Sequence, residues 1–203
     1  ALETDTRSVV LKTTQQLLRA LTSRRGTLTF LRDTLNRRAD LTPEQLKALG
    51  ASATEHTRHL LGTGLIRATQ LPAWWFSPQG LSPTELAQLN RTIVERTRIR
   101  GSWRVPSTFV ATLRSNRLLL VMLEPLRAAA YRQSAVIGVF DIKPLLEDFV
   151  ASTLPDQQPI QILSEGALLY RSTNWQPSIE NQQPIIPPPL SAVCCAFRTA
   201  NVY

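Results

Sequence analysis

The chain has 203 residues, a formal net charge of +8, 43% hydrophobic residues and 19% charged residues. That balance excludes disorder, collagen and low complexity, and a chain this long buries a core without metal or disulfide support. It also excludes a membrane-spanning helix, because no apolar run reaches the ~18 residues that one requires.

Other function classes are weakened by the placement of particular residues. The two cysteines, Cys194 and Cys195, are adjacent, which strains a bridge and matches no zinc spacing. Twenty of the 23 basic residues are Arg. They are scattered, with pairs at Arg24-Arg25 and Arg37-Arg38 and a denser stretch at Arg91, Arg96, Arg98, Arg100 and Arg104. A nucleic-acid face needs contiguous basic charge. Here Ile93, Val94, Ile99 and Trp103 interrupt it, so most of this charge reads as solvated surface. The chain opens on Ala1 with no signal-peptide pattern, as an excised or processed segment would.

Residues 1–39 read as one long helix, without Pro and with Gly26 as the only Gly. Thr14, Leu17, Leu21, Leu28, Leu31 and Leu35 form a heptad seam that Val10 extends and Arg24 interrupts. Such a seam packs on its own domain, on a second copy, or on both. Its length leans towards a homodimer through residues 8–38. A second helix opens at the capping box Thr42-Pro43-Glu44-Gln45 and is expected to stop at Gly62 and Gly64. Leu65–Thr69 reads as a short strand. The aromatic segment Leu71–Pro78 lies between turn formers, and the box Ser82-Pro83-Thr84-Glu85 opens a helix ending near Gly101.

Beyond that point the period becomes extended. Strands are expected at Thr108–Leu113, Arg117–Glu124 and Ser134–Asp141, with a tight turn at Ser115-Asn116 and a connection at Pro125–Gln133. Pro144 opens a short helix, and Ile160–Leu163 and Ala167–Tyr170 flank a hairpin turn. Residues 174–189 are Pro- and Gln-rich, and the stretch after them offers one more strand. Helices followed by strands indicate an α+β fold. The expected organisation is a helix at 1–39, a folded body at 40–173, and an excursion with the C-terminal end at 174–203.

Catalytic constellations are missing. There is no Gly-x-Ser-x-Gly, phosphate loop, dinucleotide fingerprint or His-Glu-x-x-His. His56 and His59 lie three apart on the expected helix but lack further ligands, and Glu147-Asp148 are sequential and diverge. The chain is expected to be no enzyme and to hold no metal or cofactor.

The segment Ala135-Val136-Ile137-Gly138-Val139-Phe140-Asp141-Ile142-Lys143-Pro144-Leu145-Leu146 resembles the signature of CACHE and related PAS-like extracytoplasmic sensors. In that signature a small–apolar–Gly–apolar–Asp strand leads into a short helix with paired Leu. The Ile160–Ser172 hairpin, the helix order and Glu124-Pro125-Leu126 fit the same plan, so the resemblance covers residues 8–172. The Tyr, Arg, Trp, Tyr, Asp pattern of the amino-acid-binding subset does not align, and no ligand is carried over.

The resemblance implies a long helix and further helices on an antiparallel PAS/CACHE-like sheet. It implies a ligand-sensing input domain on the periplasmic or extracellular side of a bacterial inner membrane. Membrane helices would flank it in a receptor of the histidine kinase or diguanylate cyclase type. A pocket over the sheet would be walled by Trp74, Trp75, Arg100, Trp103, Arg104, Tyr131 and Asp141 around an unknown small molecule. Each has a plainer role to weigh against this: core for the tryptophans, surface charge for the arginines, a helix cap for Asp141. The alternatives are a ligand-free structural or dimerisation domain and, more weakly, a nucleic-acid-binding module.

Overall fold

The computed structural model describes residues 2–68, 70–100, 105–153, 160–164, 167–173 and 195–199. The chain is α+β, with four α-helices and two antiparallel sheets among those residues. It divides into two compact units, Ser23–Ile142 and Ala1–Thr22 with Lys143–Tyr203. Helix α1 (Leu2–Arg37) contributes its first part to the smaller unit and the rest to the larger.

The larger unit is built on a five-stranded sheet. Its strands are β1 (Leu60–Arg67), β2 (Ala73–Phe76), β3 (Ser107–Thr112), β4 (Leu118–Pro125) and β5 (Ser134–Asp141). Their order across the sheet is β2-β1-β5-β4-β3. The inner strands β4 and β5 are buried on both faces, which explains their nearly unbroken apolar sequences.

Helix α3 (Pro83–Arg100) covers one face. There Leu89 and Ile93 pack with Val121, Leu123, Ile137 and Val139, all at 0% exposure. The alternate residues of β4 and β5 face α1. A Cβ on Gly138 would lie 2.6 Å from Leu28 Cδ2, so this glycine admits the Leu28 side chain onto β5. Helix α2 (Pro43–His56) lies over the β1–β2 edge on that same side.

Polar groups fasten α1 to this sheet. Glu124 of β4 is 1% exposed, yet it ends in an ion triad. Arg25 Nη1 donates to Oε1 at 2.9 Å and Arg32 Nη1 donates to Oε2 at 3.1 Å. Seven residues separate the two arginines, two helical turns, so both face the sheet. Arg25 Nη2 also bonds the Thr108 hydroxyl. Farther along α1, Asn36 Oδ1 accepts from the backbone N–H groups of Arg127 and Ala128, ordering the connection that leaves β4.

Both capping boxes form. Thr42 N donates to Gln45 Oε1 at 3.0 Å, and Ser82 N donates to Glu85 Oε2 at 2.8 Å. The Ser115 hydroxyl joins the second box at 2.6 Å and, with Ser82, holds the Glu85 carboxyl below the usual carboxylate range. A depressed folded pKa contributes stability above the unfolded pKa, and protonation removes it as pH falls. Thermal melts of the native chain and Glu85→Gln should therefore differ at neutral pH and converge as the solution is acidified. A constant difference would contradict the role of this carboxylate.

The structure corrects one expectation in this unit. Gly62 and Gly64 do not stop α2, which ends at His56; both lie inside β1. A Cβ on Gly62 would sit 2.6 Å from Pro78 N, and one on Gly64 2.6 Å from the Ala73 carbonyl oxygen. The glycines let β2 approach, at a β-bulge between Thr63 and Gly64. The heptad seam packs within the chain, one of the uses its sequence leaves open: Leu28, Leu31 and Leu35 are at most 2% exposed in this unit, and Leu17 and Leu21 are 1% and 8% exposed in the smaller one.

The smaller unit carries α4 (Ile142–Thr153) and strands β6 (Ile160–Ser164), β7 (Ala167–Arg171) and β8 (Cys195–Thr199), in the order β7-β6-β8. Its plan repeats the start of the larger sheet. A helix leads to a strand and its antiparallel partner, and a later strand returns to the free side of the first. The sequence α2-β1-β2-then-β5 is echoed by α4-β6-β7-then-β8. Even the bulge recurs, between Ile162 and Leu163.

Candidate functional site

One edge of the larger sheet is β2, whose four residues are Ala73, Trp74, Trp75 and Phe76. Alternation sends Trp74 and Trp75 to opposite faces. The Trp74 indole packs against the α3-side core and donates from Nε1 to Asn90 Oδ1 at 3.0 Å. Trp75 lies on the α2 side, where a Cβ on Gly50 would be 3.0 Å from the Trp75 Cβ and 2.8 Å from Thr63 Oγ1. Gly50 thus allows α2 to lie close over the β1–β2 pair. The Thr63 hydroxyl beneath it is buried and has no hydrogen-bond partner among the described residues.

A cleft of about 530 Å³ opens at this edge, within the size range of small-molecule sites. The first two turns of α2 supply Pro43, Leu46 and Lys47. The end of β1 supplies Leu65 and Arg67, and the following turn supplies Gln70 and Leu71. Ala73, Trp74 and Trp75 complete the wall. Leu71 is 68% exposed, a large apolar side chain left at the lip. Most of the lining is apolar or aromatic. Its charged members are Lys47 and Arg67, and no carboxylate is among the lining residues.

Local backbone geometry sets the position of Arg67. Just beyond it Ala68 adopts φ 39°, and across the strand pair Gln133 adopts φ 52°. Left-handed conformations cost a non-glycine residue of order 1 kcal/mol. The two are joined by a hydrogen bond from Ala68 N to the Gln133 carbonyl oxygen at 2.8 Å. The Arg67 guanidinium lies 5.9 Å from the centre of the Tyr131 ring, a cation–π contact that steadies a partly hydrated side chain. Among the described residues neither Lys47 nor Arg67 forms an ion pair.

Of the residues singled out from the sequence, Trp74 and Trp75 line the cleft, and Tyr131 reaches it through Arg67. Asp141 lies elsewhere. Ser134 at the start of β5 faces Arg67, whereas Asp141 ends the strand, roughly 23 Å farther on at about 3.3 Å per residue. Its carboxylate accepts from Arg117 Nη2 at 2.9 Å, and its backbone N–H donates to the His59 carbonyl oxygen. Trp103 and Arg104 lie outside the described residues, as does the side chain of Arg100, the last residue of α3.

Sequence reasoning missed Lys47, Arg67, Gln70 and Leu71. They belong to no motif; the one signal near them was the aromatic run between turn formers. His56 and His59 do not share a helix, because α2 ends at His56 and His59 follows with φ 66°. Among the described residues no group of His, Cys, Asp and Glu could hold a metal ion. No helix among them is long and apolar enough to cross a membrane.

No protein-family model matches the chain, and no curated protein does. Among solved structures, the chain is similar to an extracellular ligand binding receptor from Desulfohalobium retbaense DSM5692, with a TM-score of 0.61 and 9% sequence identity. The match covers 93% of this chain and 38% of that one, so the chain spans well under half of its neighbour's length. At 9% identity the likeness is one of fold: the two proteins share an α+β architecture.

Proposed function

We propose that the chain is the extracytoplasmic ligand-sensing input domain of a bacterial transmembrane signalling receptor, of the histidine kinase or diguanylate cyclase type. The observation that carries this reading is the fold shared along 93% of the chain with a protein named as an extracellular ligand binding receptor. The amphipathic cleft beside Trp74 and Trp75 supports it by offering a small molecule a place to bind. In this proposal residues 1–39 are the output lever, 40–173 the sensor body and 174–203 an appended excursion. Membrane helices of the parent chain would flank it. A ligand that binds one arrangement of the domain more tightly shifts its equilibrium, and only that difference in affinity carries a signal.

The arginines favour this over nucleic-acid binding. Arg25 and Arg32 are engaged by Glu124, Arg117 by Asp141, and Arg96 lies over the Phe109 ring. Charge held in such internal contacts is not offered to a continuous phosphate-binding face. A homodimer through residues 8–38, included in the proposal, would use the outward side of α1, where Phe30 is 63% exposed.

A thermal-shift screen against small metabolites, with duplex and single-stranded oligonucleotides included, tests the reading. A metabolite at a hundred times its Kd should raise the midpoint by roughly 5–10 °C. A salt-sensitive shift with oligonucleotide alone would replace the sensor reading with the nucleic-acid one. Silence across the panel would favour a ligand-free structural domain.

A further inference from the structure

We infer that the β2-edge cleft takes a small organic anion: a single carboxylate on an apolar, ring-sized body, without an amino group. The inference rests on the reading of the domain as ligand-binding and goes beyond it by assigning the site and the ligand's charge.

Three observations on the same surface lead there. The first is charge. Lys47 on α2 and Arg67 on β1 are the ionisable lining residues, both exposed, and neither is neutralised by an ion pair among the described residues. This is unlike Arg25, Arg32 and Arg117, each of which meets a carboxylate. Two unpaired cations across one cleft attract a carboxylate, and a guanidinium offers it a fork of donors. The second is the rest of the wall. Leu46, Leu65, Leu71 and Trp75 would bury an apolar body, whose transfer from water supplies affinity that charge alone does not. The third is positioning. Arg67 is held by the Tyr131 ring and by the left-handed pair Ala68 and Gln133, so less of its freedom is lost when it engages an anion.

The same chemistry rejects other ligands. An amine or an amino acid brings an ammonium into a wall that has no carboxylate to receive it and two cations to repel it. A sugar would find Gln70 as the one neutral side-chain amide among the lining residues.

Four probes of one skeleton separate these cases: 3-phenylpropanoate, 3-phenylpropanamide, 3-phenylpropylamine and phenylalanine. Titration calorimetry on the whole chain should show the carboxylate binding at least about tenfold more tightly than the amide, the size of one charge-assisted hydrogen bond. The amine and the amino acid should be weaker still. Added salt should weaken the carboxylate and not the amide. Arg67→Gln and Lys47→Gln, both at exposed positions, should each remove most of the preference for carboxylate over amide; Lys47→Gln should leave the melting midpoint of the free chain unchanged, and Arg67→Gln should lower it by no more than about 4 °C, the worth of the Tyr131 contact.

Equal affinity for acid and amide, or preference for the amine, would overturn the inference while a ligand-binding domain still stood. A carboxylate preference that survives both substitutions would overturn the assignment to this cleft. No binding by any of the four overturns it too. The sensor reading then stands if the metabolite panel yields a ligand and falls if that panel is also silent.

Discussion

Replacing both Arg25 and Arg32 by alanine should destabilise the larger unit by about 3–5 kcal/mol, the cost of leaving a buried charge without its partners. The reason lies at Glu124, which is 1% exposed and whose two oxygens are each met by one of these guanidinium groups. The arginine side chains are 23% and 27% exposed, so removing Glu124 is the milder change, because both cations can regain water. Arg32→Ala alone should cost less than the pair, since Arg25 remains on Oε1 and on Thr108. Replacing all three charged residues together by apolar ones of similar volume should recover much of the loss, because an apolar cluster carries no desolvation penalty. Urea unfolding of the four variants provides the check. A double alanine variant within about 1 kcal/mol of the native chain would mean that the triad behaves as an exposed pair does.

Gly62→Ala carries the second large effect, an expected loss of about 1–3 kcal/mol from overpacking. Its Cβ would meet Pro78 N at 2.6 Å, the Phe76 carbonyl oxygen at 2.8 Å and Pro78 Cα at 2.8 Å. All three are backbone atoms of the neighbouring strand segment, so no side-chain rotation relieves the contact. The chain at Phe76 and Pro78 must move away from β1. Gly26→Ala is the control of opposite sign. A Cβ there meets nothing within 4 Å, and the position is inside α1. Alanine should stabilise that helix by about 0.5–1 kcal/mol. Denaturation midpoints that move in the same direction for both variants would contradict the close-approach account of Gly62.

Elements whose signals are local were legible in the sequence. Both capping boxes mark their helices because the bonds run between residues three apart. Strand β5 begins and ends where its apolar run does, and Asn116 supplies the left-handed turn residue between β3 and β4. Gly62 and Gly64 misled because helix stops and close strand approach favour the same residue; the partner backbone that tells them apart is supplied by β2. Glu124 read as the polar end of a strand, since the arginines that justify its burial lie 92 and 99 residues away.

The site was legible only in part, for a related reason. Trp74 and Trp75 stood out by composition, whereas Lys47 and Arg67 are ordinary surface cations until α2 and β1 bring them to one cleft. Asp141, which looked equally promising at the end of β5, is held by Arg117 at the far end of the same strand.

Hydrogen exchange across the backbone, with and without a ligand found by thermal shift, tests the central claim most directly. Binding at the β2 edge should slow exchange at residues 43–47 of α2 and, on the sheet side, at residues 65–67 and 70–75, the segments that form the cleft. A ligand that raises the melting midpoint while leaving exchange in these segments unchanged would contradict the account.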